Sequence, residues 1–164
     1  MECEVAADWV VDEKALRDIK KYDSLKSPIF RTTIPGVRYS ISVRPFAGEK
    51  EKEVNIWLSV KSATSINADY IFSIPSANTT EKISSVFEYE EDEDVGLYLP
   101  SESFFDPING YFRNGKLALQ LRGTFKCDEM GYQPTGVVCF STPDKDFTIQ
   151  IGDKEIKVHK FILR

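Results

Sequence analysis

The strongest signal along the chain is an alternation of apolar and polar residues with a period of two. Val37, Tyr39, Ile41 and Val43 alternate with Arg38, Ser40, Ser42 and Arg44. Successive side chains leave a strand on opposite sides, so this pattern predicts a strand with one buried face. A charged loop from Gly48 to Glu53 follows, and then Val54, Ile56, Leu58 and Val60 alternate with Asn55, Trp57, Ser59 and Lys61. Tyr70, Phe72 and Ile74 give a third apolar face, closed by Pro75, and Val86-Phe87-Glu88-Tyr89 a fourth. Tyr111-Phe112 and Leu117, Leu119 and Leu121 flank Asn114-Gly115, a two-residue hairpin signature because both residues tolerate positive φ. Helical signals are few. Asp12 is placed to cap a turn carrying Ala15, Leu16 and Ile19, and Ser101 to cap a short helix ended by Pro107 and Gly110. Short strands separated by turn residues predict an all-β fold, an antiparallel sandwich.

The pattern changes after Phe125. Residues 127–144 hold Gly131, Pro134, Gly136 and Pro143 and read as a linker. Phe147, Ile149 and Ile151, a turn at Gly152-Asp153, and Ile156 and Val158 then predict a β-hairpin, with His159 to Arg164 opening a helix. The expected organisation is a first domain over 1–126, the linker, and a segment over 145–164. A hairpin with one helical turn is marginal in water by itself and is expected to belong to something larger.

Composition narrows the function classes. The 164 residues carry a net charge of −5 with no dense Lys/Arg cluster, which argues against nucleic acid as a partner. Cys3, Cys127 and Cys139 form no CxxC pair, and the single histidine, His159, completes no zinc set. Neither a metal nor a cofactor is expected. Sparse thiols, no signal-peptide pattern and no long apolar run predict a cytoplasmic or nuclear protein without a membrane span. There is no P-loop, dinucleotide fingerprint, HExxH or GxSxG, so no catalytic residue is expected and the protein is read as a non-enzyme.

Trp57 is the most informative position. Its neighbours Ile56 and Leu58 take the buried face, so alternation sends the indole to the polar face. There it is either a binding anchor or a residue covered by a loop or by the N-terminal segment. Tyr70 shares a face with Phe72 and Ile74 and reads, by periodicity, as core. The run from Glu88 to Asp94 holds six carboxylates and lacks the spacing of a calcium loop, so a solvated turn is the favoured reading. Phe87 and Leu97 bracket that run and could line a groove or tuck a loop down.

The segment from about Asp8 to Phe125 resembles a MATH (TRAF-like) domain. The resemblance is carried by Trp9, Tyr39-Ser40-Ile41-Ser42-Val43-Arg44-Pro45, Val54-Asn55-Ile56-Trp57-Leu58-Ser59-Val60 and Tyr70-Ile71-Phe72-Ser73-Ile74. It continues through Val95-Gly96-Leu97 to Phe104-Phe105 and Asn109-Gly110-Tyr111-Phe112-Arg113-Asn114-Gly115-Lys116-Leu117. Asp146-Phe147-Thr148-Ile149-Gln150-Ile151 with Lys157-Val158-His159-Lys160-Phe161-Ile162-Leu163 resembles the start of a BTB domain. MATH followed by BTB is the order found in substrate adaptors of cullin-based ubiquitin ligases, the nematode set above all.

The resemblance implies an eight-stranded antiparallel sandwich whose shallow groove binds extended peptides of target proteins, with Trp57, Tyr70, Phe87, Val95 and Leu97 lining it. Well-studied adaptors carry large aromatics where Val95 and Leu97 stand, which implies a shallower groove here. The adjoining carboxylates are expected to favour peptides with Lys or Arg. Only the opening of a BTB domain is recognisable, so a monomer is expected, with a cullin as partner only if that domain were complete. The alternatives are a truncated remnant, a competitor of full-length adaptors, or a scaffold protein. No heptad segment favours the last of these.

Overall fold

A computed structural model describes residues 1–20, 22–47, 52–88, 90–127, 147–151 and 154–158, with the side chains of 90–92, 94, 95 and 147–158 outside that description. The strands are β1 (Glu2–Asp12), β2 (Leu25–Lys26), β3 (Phe30–Arg31), β4 (Arg38–Ala47), β5 (Glu53–Ser62), β6 (Ile66–Ile74), β7 (Thr79–Phe87), β8 (Glu90–Pro100), β9 (Lys116–Cys127), β10 (Phe147–Ile151) and β11 (Lys154–Val158). Among the described residues there are also two short helices, α1 (Glu13–Asp18) and α2 (Ser101–Phe105), and 3-10 turns at Pro75–Ala77 and Pro107–Asn109. The chain divides into two compact units, Met1–Glu129 and Met130–Arg164. In the second unit β10 and β11 pair antiparallel, with Ile149 opposite Ile156.

The first unit consists of two antiparallel sheets. One has the order β1-β9-β6-β7; the other runs β2-β4-β5-β8, with β3 also paired to β4. Alternation decides what lies between them. Ile41, Val43, Ile56, Leu58 and Val60 of one sheet and Ala68, Tyr70, Phe72, Leu119, Leu121 and Phe125 of the other are all buried in a single core. Burying an aliphatic or aromatic side chain contributes roughly 1.5–3 kcal/mol, so the face assignment of each strand is strongly fixed.

Several local expectations are corrected. β1 has no counterpart in the sequence reading, yet it pairs with β9 over its whole length, Glu2 opposite Lys126 to Asp12 opposite Lys116. The acidic run is not a turn: Glu90 onward is strand, paired to β5 from Ser62 down to Glu53. Ser101 does not cap α2, which begins at Ser101 with Pro100 in the cap position; its hydroxyl donates to Pro45 O at 2.9 Å. Asp12 stands at the N-cap of α1 but makes no capping hydrogen bond. The sandwich holds seven long strands and the two-residue strands β2 and β3. Asn114 (φ 53) and Gly115 (φ 71) form the expected turn, although it is flanked on its first side only by an isolated bridge from Arg113 to Lys116.

One glycine shapes the second sheet. Ile56 pairs with Leu97 but Trp57 with Val95, so Gly96 is the extra residue of a β-bulge. A Cβ there would overlap the Phe72 ring of the opposite sheet. The missing side chain lets β8 close over the core at this point.

Candidate functional site

The outer face of the five-stranded sheet carries the unusual chemistry of the molecule. Its rungs follow from the strand register. Arg44, Asn55 and Tyr98 stand opposite one another across β4, β5 and β8, and the next rung joins Ser42, Trp57 and Val95. Then come Ser40, Ser59 and Glu93, and after them Arg38, Lys61 and Glu91. β3 extends the last rung by placing Arg31 opposite Arg38. β8 is the last strand of this sheet's pairing order, and its far edge is where another extended chain would find free backbone groups.

Trp57 lies on this outer face, as alternation requires, but it is only 6% exposed. Part of its cover is the guanidinium of Arg44, 5.1 Å from the ring centroid, a cation held against the electron-rich face of the indole. Among the described residues, three buried side-chain atoms lack a hydrogen-bond partner: Arg44 Nε, Asn55 Oδ1 and Trp57 Nε1. All three belong to two neighbouring rungs. Leaving a buried donor or acceptor unpaired costs about 1–3 kcal/mol each, and buried polar atoms are normally satisfied. The patch therefore encloses two unpaired N–H donors and one unpaired carbonyl acceptor beneath its own side chains. Beyond it, Ser40, Ser42 and Ser59 of the same face are buried as well. The Ser59 hydroxyl donates to Glu93 Oε1 at 3.0 Å.

The other expected groove residues separate. Val95 stands opposite Trp57 in the ladder, with its side chain outside the described residues. Tyr70, Phe87 and Leu97 do not line this face. They are 1%, 1% and 4% exposed and belong to the core, where the Tyr70 ring meets Phe72 edge-on at 5.6 Å and lies 6.4 Å from Phe87. Periodicity had already placed Tyr70 with Phe72; the groove role came only from the resemblance. Arg44 and Asn55, which sequence reasoning did not single out, are the residues that join Trp57. The available signal was their position on the polar face two residues from the Trp57 rung.

No protein-family model matches the chain, and no curated protein matches it. Among the described residues no group of His, Cys, Asp and Glu could hold a metal ion, and no helix is long and apolar enough to cross a membrane.

Proposed function

We propose that the first unit is a non-catalytic peptide-recognition module, of the MATH type, that binds extended segments of partner proteins on the outer face of the five-stranded sheet beside β8. The observation that carries this reading is the cluster of three unpartnered buried polar atoms at Arg44, Asn55 and Trp57. A bound peptide that displaced the Arg44 guanidinium from over Trp57 would supply the missing acceptors and donor, offsetting a cost that the free protein bears. The edge position of β8 supports it, since an extended peptide can pair with an open strand edge while its side chains meet the adjoining face. Exposed Tyr98, 65% accessible at the end of the Arg44 rung, supplies an aromatic contact at that edge.

The wider role follows the resemblance: the module would serve as the substrate-recognition part of a cullin-ligase adaptor, with the β10–β11 hairpin as the opening of the BTB portion. Nearest the edge, the β8 carboxylates would favour Lys or Arg in the peptide, a preference that salt and Glu93→Gln should weaken.

The test is selection from an immobilised peptide library by the full chain and by Trp57→Phe, which keeps a ring but removes the N–H. Wild type should retain a defined set of peptides, and the variant should bind them about tenfold more weakly, the equivalent of one lost hydrogen bond. A well-folded wild type that retains no peptide selectively would sink the reading.

A further inference from the structure

At the opposite end of the same face, the structure sets cations against one another. Arg31 is the direct cross-strand partner of Arg38, and Arg38 of Lys61. Like charges facing each other across a ladder are destabilising. Arg31 and Arg38 are both exposed, and among the described residues neither is in an ion pair. The arrangement is built by a rigid turn rather than by chance proximity of flexible segments. Pro35 and Gly36 (φ +78) occupy the two central positions of the turn, Val37 N–H donates to Ile34 O at 3.1 Å, and Ile34 N–H donates to the Thr32 hydroxyl at 3.1 Å. Proline presets the first φ, and glycine accepts the positive second one. The turn locks β3 onto β4 and thereby fixes Arg31 beside Arg38.

These cations rim an open cavity of about 740 Å³ that Ile29, Pro35, Gly36 and Val37 also line. A smaller hollow of about 150 Å³, lined by Lys26, Arg38, Ser40 and Ser59, joins Arg38 to the buried serines. In a chain of net charge −5, a locally cationic cavity selects for the opposite sign of charge in its occupant. Lys61 is four residues from Trp57 on β5, about 13 Å along a strand, a distance that an extended peptide covers in four residues.

We propose that the Arg31–Arg38 cavity binds an anionic side chain, a carboxylate or a phosphoryl group, of the peptide that lies on this face. The inference rests on the peptide-binding reading for its occupant. Arginine suits the task because its planar fork pairs with either oxyanion in a bidentate way.

The experiment is a titration of the full chain with phenyl phosphate and, separately, with N-acetylglutamate amide, followed by backbone amide NMR at low salt. The double variant Arg31→Gln/Arg38→Gln is treated in the same way. One or both probes should shift Gly36, Val37, Arg38 and Ser62 in a saturable manner, and the double variant should bind at least tenfold more weakly with its melting temperature unchanged or raised. Saturation by phenyl phosphate alone assigns a phosphoryl site, and by the glutamate probe as well, a general acidic site. Absence of saturable shifts at these amides, or equal binding by the variant, overturns the proposal. Because the probes need no peptide, this failure is separate from that of the peptide-binding reading, which the library selection decides.

Discussion

The two sheets of the sandwich have equally regular inner faces but very different outer ones. On the four-stranded sheet, charges meet their complements. Arg122 holds Asp8 through two contacts of 2.8 Å, Lys116 lies 3.6 Å from Asp12, and Lys126 lies 3.9 Å from Glu2. Asp69 accepts from the Ser84 hydroxyl at 2.6 Å. These charges pair among themselves, while Val10 and Val86 of the same sheet stay exposed. On the five-stranded sheet, Arg31 and Arg38 face each other, and Arg44, Asn55 and Trp57 keep buried atoms without partners among the described residues. A face whose polar groups pair internally needs nothing from outside. One that leaves them unpaired is stabilised by whatever pairs them. The difference is what supports the proposal that the five-stranded sheet receives a partner.

Two substitutions should break this contrast most strongly, one of them at the bulge that holds β8 in place. Gly96→Ala should push against the Phe72 ring and destabilise the sandwich by about 2–3 kcal/mol, measured by urea unfolding. Trp57→Ala should empty a nearly buried site on the outer face and cost about 3 kcal/mol, so its effect on peptide binding must be read beside that of Trp57→Phe. The comparison is sharpened by a matched pair of charge changes. Arg122→Gln should cost only about 0.5 kcal/mol, the usual worth of an exposed ion pair, and leave peptide binding unchanged. Arg38→Gln should stabilise the free protein by a few tenths of a kcal/mol through relief of repulsion while weakening acidic ligands. Equal effects of the two on binding would erase the distinction between the faces.

A pH-dependent effect lies in the core that both sheets share. Burial raises the Tyr39 hydroxyl above its ordinary value of 10.0, and the hydroxyl donates to Ala6 O at 3.0 Å. The unfolded chain therefore releases this proton first. Stability associated with Tyr39 should be complete below pH 10 and fall progressively above it. Tyr39→Phe should remove that alkaline dependence at a cost of about 1 kcal/mol near neutral pH, checked by thermal melts across the range.

Much of the fold was legible because burial and strand geometry share a period of two. The apolar positions of β4, β5 and β6 named their own inner faces, and Asn114-Gly115 named its turn. β1 escaped because Ala6, Ala7 and the exposed Val10 blur its alternation; only its eleven-residue pairing with β9 reveals it. The acidic run escaped for a related reason. Its charges suit a solvated turn, yet an edge strand tolerates them equally, since one side of its backbone has no neighbour to repel.

At the candidate site, the sequence by itself determined that Trp57 faces away from the core, because strict alternation leaves no other choice. It also supplied every cation of the Arg31–Arg38–Lys61 row. What only the tertiary structure decided is how these residues meet. Tyr70, Phe87 and Leu97 went to the core rather than to a groove, because the closing of the two sheets buries their faces. Arg44 came to cover Trp57, and Arg31 came to face Arg38, through pairings between strands that are separate in the chain. Alternation is a property of one strand and can be read along it. Register is a relation between strands, set by turns, bulges and the packing of the whole core, and no single segment contains it.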